Sequence, residues 1–181
     1  MYSFDPNAEK TCESLLERAF EIEPNNVEAL ISLSSFRLSQ QRQDDAKEAA
    51  QRAWTAWKDL EDGQIIDISV FLFRFLILFF HIGDPAIPPI PIRIELTKRF
   101  IEVSEYSTAL QILQTIMATD DQDVEAWYLE GWCFYLMAEQ AKESGSKISE
   151  LTWEELARDS RDCLENCQMV RLYSALSGHL W

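Results

Sequence analysis

Few residues in this chain are of a type and spacing that could run a reaction. There are two histidines, His81 and His179. One lies in an apolar segment and the other close to the C-terminus, so a nucleophile–base–orienter set has little to draw on. Cys163 and Cys167 are four apart on a predicted helix and can face the same way. A zinc site needs two more ligands, and none is near in sequence. With Cys12 and Cys133 they read as core cysteines of a reduced, intracellular protein. No glycine-rich phosphate loop occurs. No enzyme activity, catalytic residue, metal ligand or cofactor is therefore expected. The chemistry that remains is recognition. Val124–Glu143 carries Trp127, Tyr128, Trp132, Phe134 and Tyr135, with Asp120, Asp121, Asp123, Glu125 and Glu130 close by. Aromatic rings bury much area at low entropic cost and stack on Arg or Lys. An aromatic surface rimmed with carboxylates suits an extended basic peptide. The alternative for each ring is packing against the last helix.

The composition agrees with a binding protein. The chain has 181 residues, enough for one domain with a real core. Hydrophobic residues make up 47% and charged residues 26%, which argues against wholesale disorder. With only 5 glycines and 6 prolines, helix is favoured over a turn-rich β-sandwich. The net charge of -15 excludes a generic nucleic-acid binder, because a duplex repels such a surface. The charge is concentrated towards the C-terminal end, where residues 101–181 hold 15 acids against 5 bases. The bland explanation is a solvated helical surface. Residues 1–10 have no apolar signal core.

The positioning elements are helices. Glu9–Ile22 places Cys12, Leu15, Leu16, Ala19 and Phe20 at helical spacing, and Pro24 stops it. Asn26 is a fair N-cap for Val27–Gln40, and Asp44 for a helix carrying Ala46, Ala49, Ala50, Ala53, Trp54 and Trp57. Ile92–Val103 pairs with Ser107–Ala118. Val124–Glu143 is followed by a Ser144-Gly145-Ser146 loop and a final helix near Leu151–Leu176. Asn26-Val27-Glu28-Ala29-Leu30 matches Asp123-Val124-Glu125-Ala126-Trp127, and each opens an apolar helix after a polar turn. Repeated antiparallel pairs with short turns predict an all-α solenoid.

The repeat resembles the tetratricopeptide type, whose period is about 34 residues. Leu30, Leu33, Ser34, Arg37, Ala46, Ala50, Ala53 and Lys58 fill the pattern once. Arg93, Leu96, Thr97, Phe100, Ala109, Leu113, Ile116 and Asp121 fill it again. Trp127, Gly131 and Phe134 begin a third unit that departs at Ser144–Lys147. Cys12, Leu16, Ala19 and Pro24 supply a second helix without a first. One tetratricopeptide-repeat domain over residues 8–172 is expected, incomplete at its N-terminal end. The resemblance implies a concave groove lined by the first helix of each pair. Its positions fall on Glu28, Ile31, Ser35 and Leu38, on Ile94, Lys98 and Ile101, and on Glu125, Tyr128, Trp132 and Tyr135. Asp120, Asp121, Asp123 and Glu130 are the expected acidic rim. The groove lacks the Lys and Asn set with which related domains clamp a C-terminal carboxylate.

Ala29-Leu30, Phe36–Gln40, Asp44-Asp45-Ala46, Trp57–Leu60 and Val124–Cys133 together resemble the fungal assembly-chaperone family of large-subunit ribosomal protein four. The likeness covers most of residues 8–172. It implies an acidic chaperone that binds the newly made ribosomal protein, masks its basic internal loop and accompanies it from cytoplasm to nucleus. No small-molecule substrate, direct nucleic-acid contact or membrane partner is expected. The alternative is a tetratricopeptide scaffold for another complex, with a membrane tether through residues 65–82 as its variant.

Gln64–Ile82 stands outside the pattern and is mostly apolar. A membrane span needs about 20 apolar residues, and Asp67, Arg74 and His81 interrupt this one. A buried added helix or strand is a second reading. The third is an insertion foreign to the fold. Leu30 and Arg93 hold equivalent repeat positions, yet they are nearly twice as far apart in sequence as Arg93 and Trp127. Removing residues 64–83 leaves one repeat and a short linker. A translated retained intron or a gene-model artefact is therefore expected, and the spliced transcript should lack these codons. A mature message that encodes Gln64–Ile82 contradicts this.

Overall fold

The computed structural model describes residues 7–61 and 87–177. The expected insertion at 64–83 and both histidines lie outside them. The described residues form eight helices: α1 (Ala8–Ile22), α2 (Val27–Ser39), α3 (Gln43–Thr55), α4 (Lys58–Glu61), α5 (Ile90–Glu102), α6 (Tyr106–Thr119), α7 (Val124–Ser144) and α8 (Trp153–Ser177). Among the described residues, β pairing is confined to an isolated bridge between Ile148 and Leu151. No helix among them is long and apolar enough to cross a membrane. The described residues are all-α, as expected. It divides into two compact units, Met1–Ile92 and Arg93–Trp181.

Local chemistry sets the helix ends. The Asn26 side chain accepts the Ala29 N–H at 2.9 Å, and the Asp123 side chain accepts the Ala126 N–H at 2.8 Å. The matched sequences at these points are matched caps, each satisfying an amide that a helix start leaves without a partner. Asp44 does not cap. Helix α3 starts one residue earlier, at Gln43, and Asp44 sits in its first turn, where its charge suits the positive helix end. Helix α7 ends at Gly145, whose φ of 63° is a left-handed stop that glycine adopts without strain. Helix α8 starts with a reciprocal box. The Thr152 N–H reaches Glu155 Oε2 at 2.8 Å, and the Glu155 N–H reaches Thr152 Oγ1 at 3.3 Å.

The turn inside each of the first two pairs is the same device. Gln41 and Ser104 both hold φ at 61°. The next amide then bonds back to the helix: Arg42 N–H to the Arg37 carbonyl at 2.9 Å, Glu105 N–H to the Phe100 carbonyl at 2.8 Å. Gln41 and Ser104 are as far apart in sequence as Leu30 and Arg93, so the turn recurs in register with the repeat.

In the first unit, contacts fall between residues equidistant from the turns, which makes neighbouring helices antiparallel. Ser34 Oγ donates to the Ala46 carbonyl at 2.8 Å, and Arg37 pairs with Glu13 at 3.3 Å. Leu30, Ala46, Ala49, Ala50, Ala53 and Trp57 are buried, with Trp54 edge-on to Trp57 at 4.5 Å between ring centroids. Helix α1 has no buried residue. Its Glu13 pairs with Arg37 of α2, and Arg52 of α3 lies over its Phe20 ring at 5.9 Å.

The second unit follows the same rule. The Arg93 guanidinium, on α5, donates to the Thr115 carbonyl on α6 at 3.2 Å. Tyr106 and Leu110 of α6 pack against a cluster of Met137, Ala138, Ala141 and Leu156 contributed by α7 and α8. Across α7 and α8, Ser160 Oγ donates to the Gly131 carbonyl at 2.8 Å. A Cβ at Gly131 would lie 2.9 Å from Leu164 Cγ and 3.1 Å from the Ser160 carbonyl oxygen. Glycine is what allows this crossing. Replacing Gly131 by Val should destabilise the protein by about 2–3 kcal/mol, since overpacking exceeds any gain in helix propensity. Gly131→Ala should cost less. Urea unfolding followed by far-UV circular dichroism checks both; a Val variant as stable as wild type contradicts the packing argument.

Candidate peptide-binding face

The expected groove residues lie on three helices. Those on α2 belong to the first unit. Glu28 and Ser35 are exposed there and Leu38 is half-buried, whereas Ile31 is 8% exposed. The rest lie on α5 and α7 in the second unit, where Ile94 is 4% exposed. Ile31 and Ile94 are therefore packing residues and do not offer open surface to a ligand. Both occupy the repeat position that holds Tyr128 on α7. The larger ring, with its polar tip, stays 49% exposed at that position.

Helix α7 carries the strongest feature. Glu125, Tyr128, Trp132 and Tyr135 recur at helical spacing along one face, and all four are exposed. Trp132 and Tyr135 stack with ring centroids 5.4 Å apart and planes inclined by 20°. The opposite face, Ala126, Leu129, Cys133 and Met137, is buried. Stacking between neighbours holds the rings in place, so less side-chain entropy is lost when a ligand covers them.

The carboxylates divide into three groups. Asp120 and Asp121 are exposed at the turn before α7, where each accepts a bond from Gln122. The Asp121 carbonyl also accepts the Trp127 indole N–H at 2.9 Å. Asp123 is committed in part to capping α7. Glu125 meets Lys98 across the two helices, Oε1 to Nζ at 2.9 Å, and Glu95 holds the same ammonium at 2.8 Å. The hydrogen bonds that Lys98 donates to Glu125, then to Glu95, raise its pKa. Ile101, further along α5, is half-buried.

Glu130 is not on the rim. It faces α8, and Cys163 Sγ donates to its Oε2 at 3.5 Å. Burial raises its pKa, and the Cys163 bond partly opposes this. The buried thiols of Cys133 and Cys163 are each pushed up to about 12, first by burial and then by the Glu130 charge. At those values neither thiol is a thiolate at neutral pH, so neither is a nucleophile. Cys167 Sγ donates to the Val124 carbonyl at 3.5 Å. The repeat register already marked Glu130 as internal, because Leu33 and Leu96 hold the same position in the earlier units. Sequence reading by charge alone placed it outside. Among the described residues, no group of three His, Cys, Asp or Glu side chains could hold a metal ion.

Antiparallel helix pairs with small residues at their crossings, matching turns in register with the repeat and an aromatic row on a first helix define a helical-repeat protein of tetratricopeptide type. No family model matches the chain. It is 37% identical over 139 residues to a protein of Emericella nidulans named "Probable assembly chaperone of rpl4", a match covering 77% of this chain and 31% of that protein. The protein of the same name in Schizosaccharomyces pombe is 29% identical over 145 residues, covering 80% of this chain and 38% of its own. A solved structure titled "Assembly Chaperone of RpL4 (Acl4) (Residues 1-338)" superposes with a TM-score of 0.63 at 30% identity, over 80% of this chain and 44% of that one. The chain thus resembles the fungal assembly chaperones of rpl4, as its motif residues implied. It spans 31% and 38% of the length of the two curated relatives.

Glu130 supplies a pH signature. A carboxyl whose folded pKa lies above its unfolded value of 4.5 binds more protons in the native state. Its burial carries no electrostatic penalty below that unfolded value, and stability falls as pH rises from there through the folded pKa. Glu130→Gln should therefore gain stability relative to wild type across that window. Thermal melts at a series of pH values check this, and a constant difference at all pH values contradicts it.

Proposed function

We propose that this chain acts as a chaperone for a newly made basic ribosomal protein, large-subunit protein four, and shields that protein's basic internal loop. The observation that carries the reading is the exposed row Glu125–Tyr128–Trp132–Tyr135, in a chain with net charge -15. Its rings can stack on Arg and hold the stems of Lys, while the carboxylates answer their charges. The likeness to proteins named as assembly chaperones of rpl4 supports the choice of partner. The role is one of binding, without catalysis, and its compartments are the cytoplasm and the nucleus.

The physical logic is electrostatic. A segment built to lie in RNA is rich in cations and, when free, binds any polyanion. An acidic partner steers it to encounter and screens it. Ribosomal RNA, a denser polyanion, then competes for the same cations and favours release.

Co-expression pull-down with the ribosomal protein tests the proposal. Capture should depend on the basic loop and weaken as salt rises above about 0.15 M, where the screening length drops below about 8 Å. Trp132→Ala should weaken it by about 2 kcal/mol, as expected of a central aromatic anchor. Capture that survives both loop deletion and Trp132→Ala favours a scaffold for another complex, and no capture at all rejects the chaperone reading.

A further inference from the structure

Lys98 carries the wrong charge for a face that receives cations. Its ammonium lies between Glu95 Oε1 at 2.8 Å and Glu125 Oε1 at 2.9 Å. Glu95 is on the same helix, one turn back, and Glu125 is on α7. Arg99 approaches the other Glu95 oxygen at 3.7 Å and binds Glu102 at 2.7 Å. Glu125 begins the face that continues through Tyr128, Trp132 and Tyr135. The carboxylate that opens the row of exposed rings is thus already neutralised from within. Both carboxylates are exposed, Glu95 at 48% and Glu125 at 54%, and the Lys98 side chain is 32% exposed.

Exposed ion pairs of this kind add little to stability, because water and salt screen them and ordering two long side chains costs entropy. A structural role alone therefore accounts poorly for the arrangement. A competitive role fits it better. Each carboxylate retains acceptor capacity for a second cation. A ligand ammonium or guanidinium arriving over Tyr128 would meet Lys98 as a like charge and would have to share or displace it.

We propose that Lys98 is a specificity-determining residue that acts as a built-in competitor, withholding Glu125 and Glu95 from a basic ligand until that ligand offers enough cations to take them over. This rests on the reading that the α7 face receives a basic peptide. A single stray Lys gains little there. A dense run of cations gains the aromatic row, the carboxylates and the release of Lys98 together. The same residue keeps the complex reversible, because the ammonium remains tethered beside its seat at high effective concentration.

The test uses the full chain and a fluorescent lysine- and arginine-rich peptide with the sequence of the ribosomal protein's internal loop. Anisotropy is read at low and physiological salt. Lys98→Met should tighten binding about fivefold at low ionic strength, with a gain that shrinks as salt is added. Lys98→Arg should stay near wild type. In a Glu125→Gln background the gain from Lys98→Met should shrink, since the residue acts through that carboxylate. If Trp132→Ala weakens binding while Lys98→Met leaves it unchanged or weaker, the inference fails and the peptide-binding reading stands. If the wild-type chain does not bind the peptide, both fail.

Discussion

The close approach of two helices within a pair is the constraint on which the rest of this structure depends. It is set at one repeat position, held by Ser34, Thr97 and Gly131. None of these presents a large side chain to its partner helix, and all three are buried. Two of the crossings use the resulting proximity for a bond. Ser34 reaches the Ala46 carbonyl, and at the last pair Ser160 reaches the Gly131 carbonyl from the opposite side. The donor has moved to the other helix while the contact is kept. What is preserved is a short interhelical distance with its polar groups satisfied, and either helix can supply the hydroxyl.

That distance decides what α7 can do. With Ala126, Leu129, Cys133 and Met137 buried, the helix is fixed in rotation about its own axis. The residues one face away are then obliged to stand outward. Tyr128, Trp132 and Tyr135 are large rings that would ordinarily be drawn into a core. They remain exposed because the buried face is already filled. An exposed apolar row of this size, flanked by carboxylates, is costly to leave in water without a use. The chain's net charge of -15 makes a cation the complementary neighbour for such a row.

The acidic residues do unlike jobs despite their common charge. Asp123 caps a helix, Glu155 completes the box at the start of α8, and Glu125 pairs across two helices with Lys98. Glu130 lies half-buried against Cys163, where burial works against its charge. A count of carboxylates along the chain therefore overstates the negative surface near α7. Asp120 and Asp121 stand exposed at the turn before α7, while Glu125 and Glu95 share the Lys98 ammonium.

Residue type and spacing determined a good deal by themselves. Periodicity and small-residue positions established all-α antiparallel pairs, and the Asn26 cap was legible because a cap is a local interaction within a single turn; Asp123, in the matched sequence, read only as an acid of the rim until the structure showed its cap. Helix ends were placed to within about two residues, the usual uncertainty of fraying termini. Asp44 was misassigned as a cap because several polar residues in a row offer competing starts, and only the backbone path chooses among them. The exposed row Tyr128, Trp132 and Tyr135 was visible as a stripe, but whether it faced a ligand or α8 was open. Ile31 and Ile94 share its repeat position and are nevertheless buried, while Glu130 turned inward. Those outcomes depend on which neighbour covers each face. Spacing fixes a side chain's direction on its own helix, and only the packing of helices far apart in sequence decides what lies in that direction.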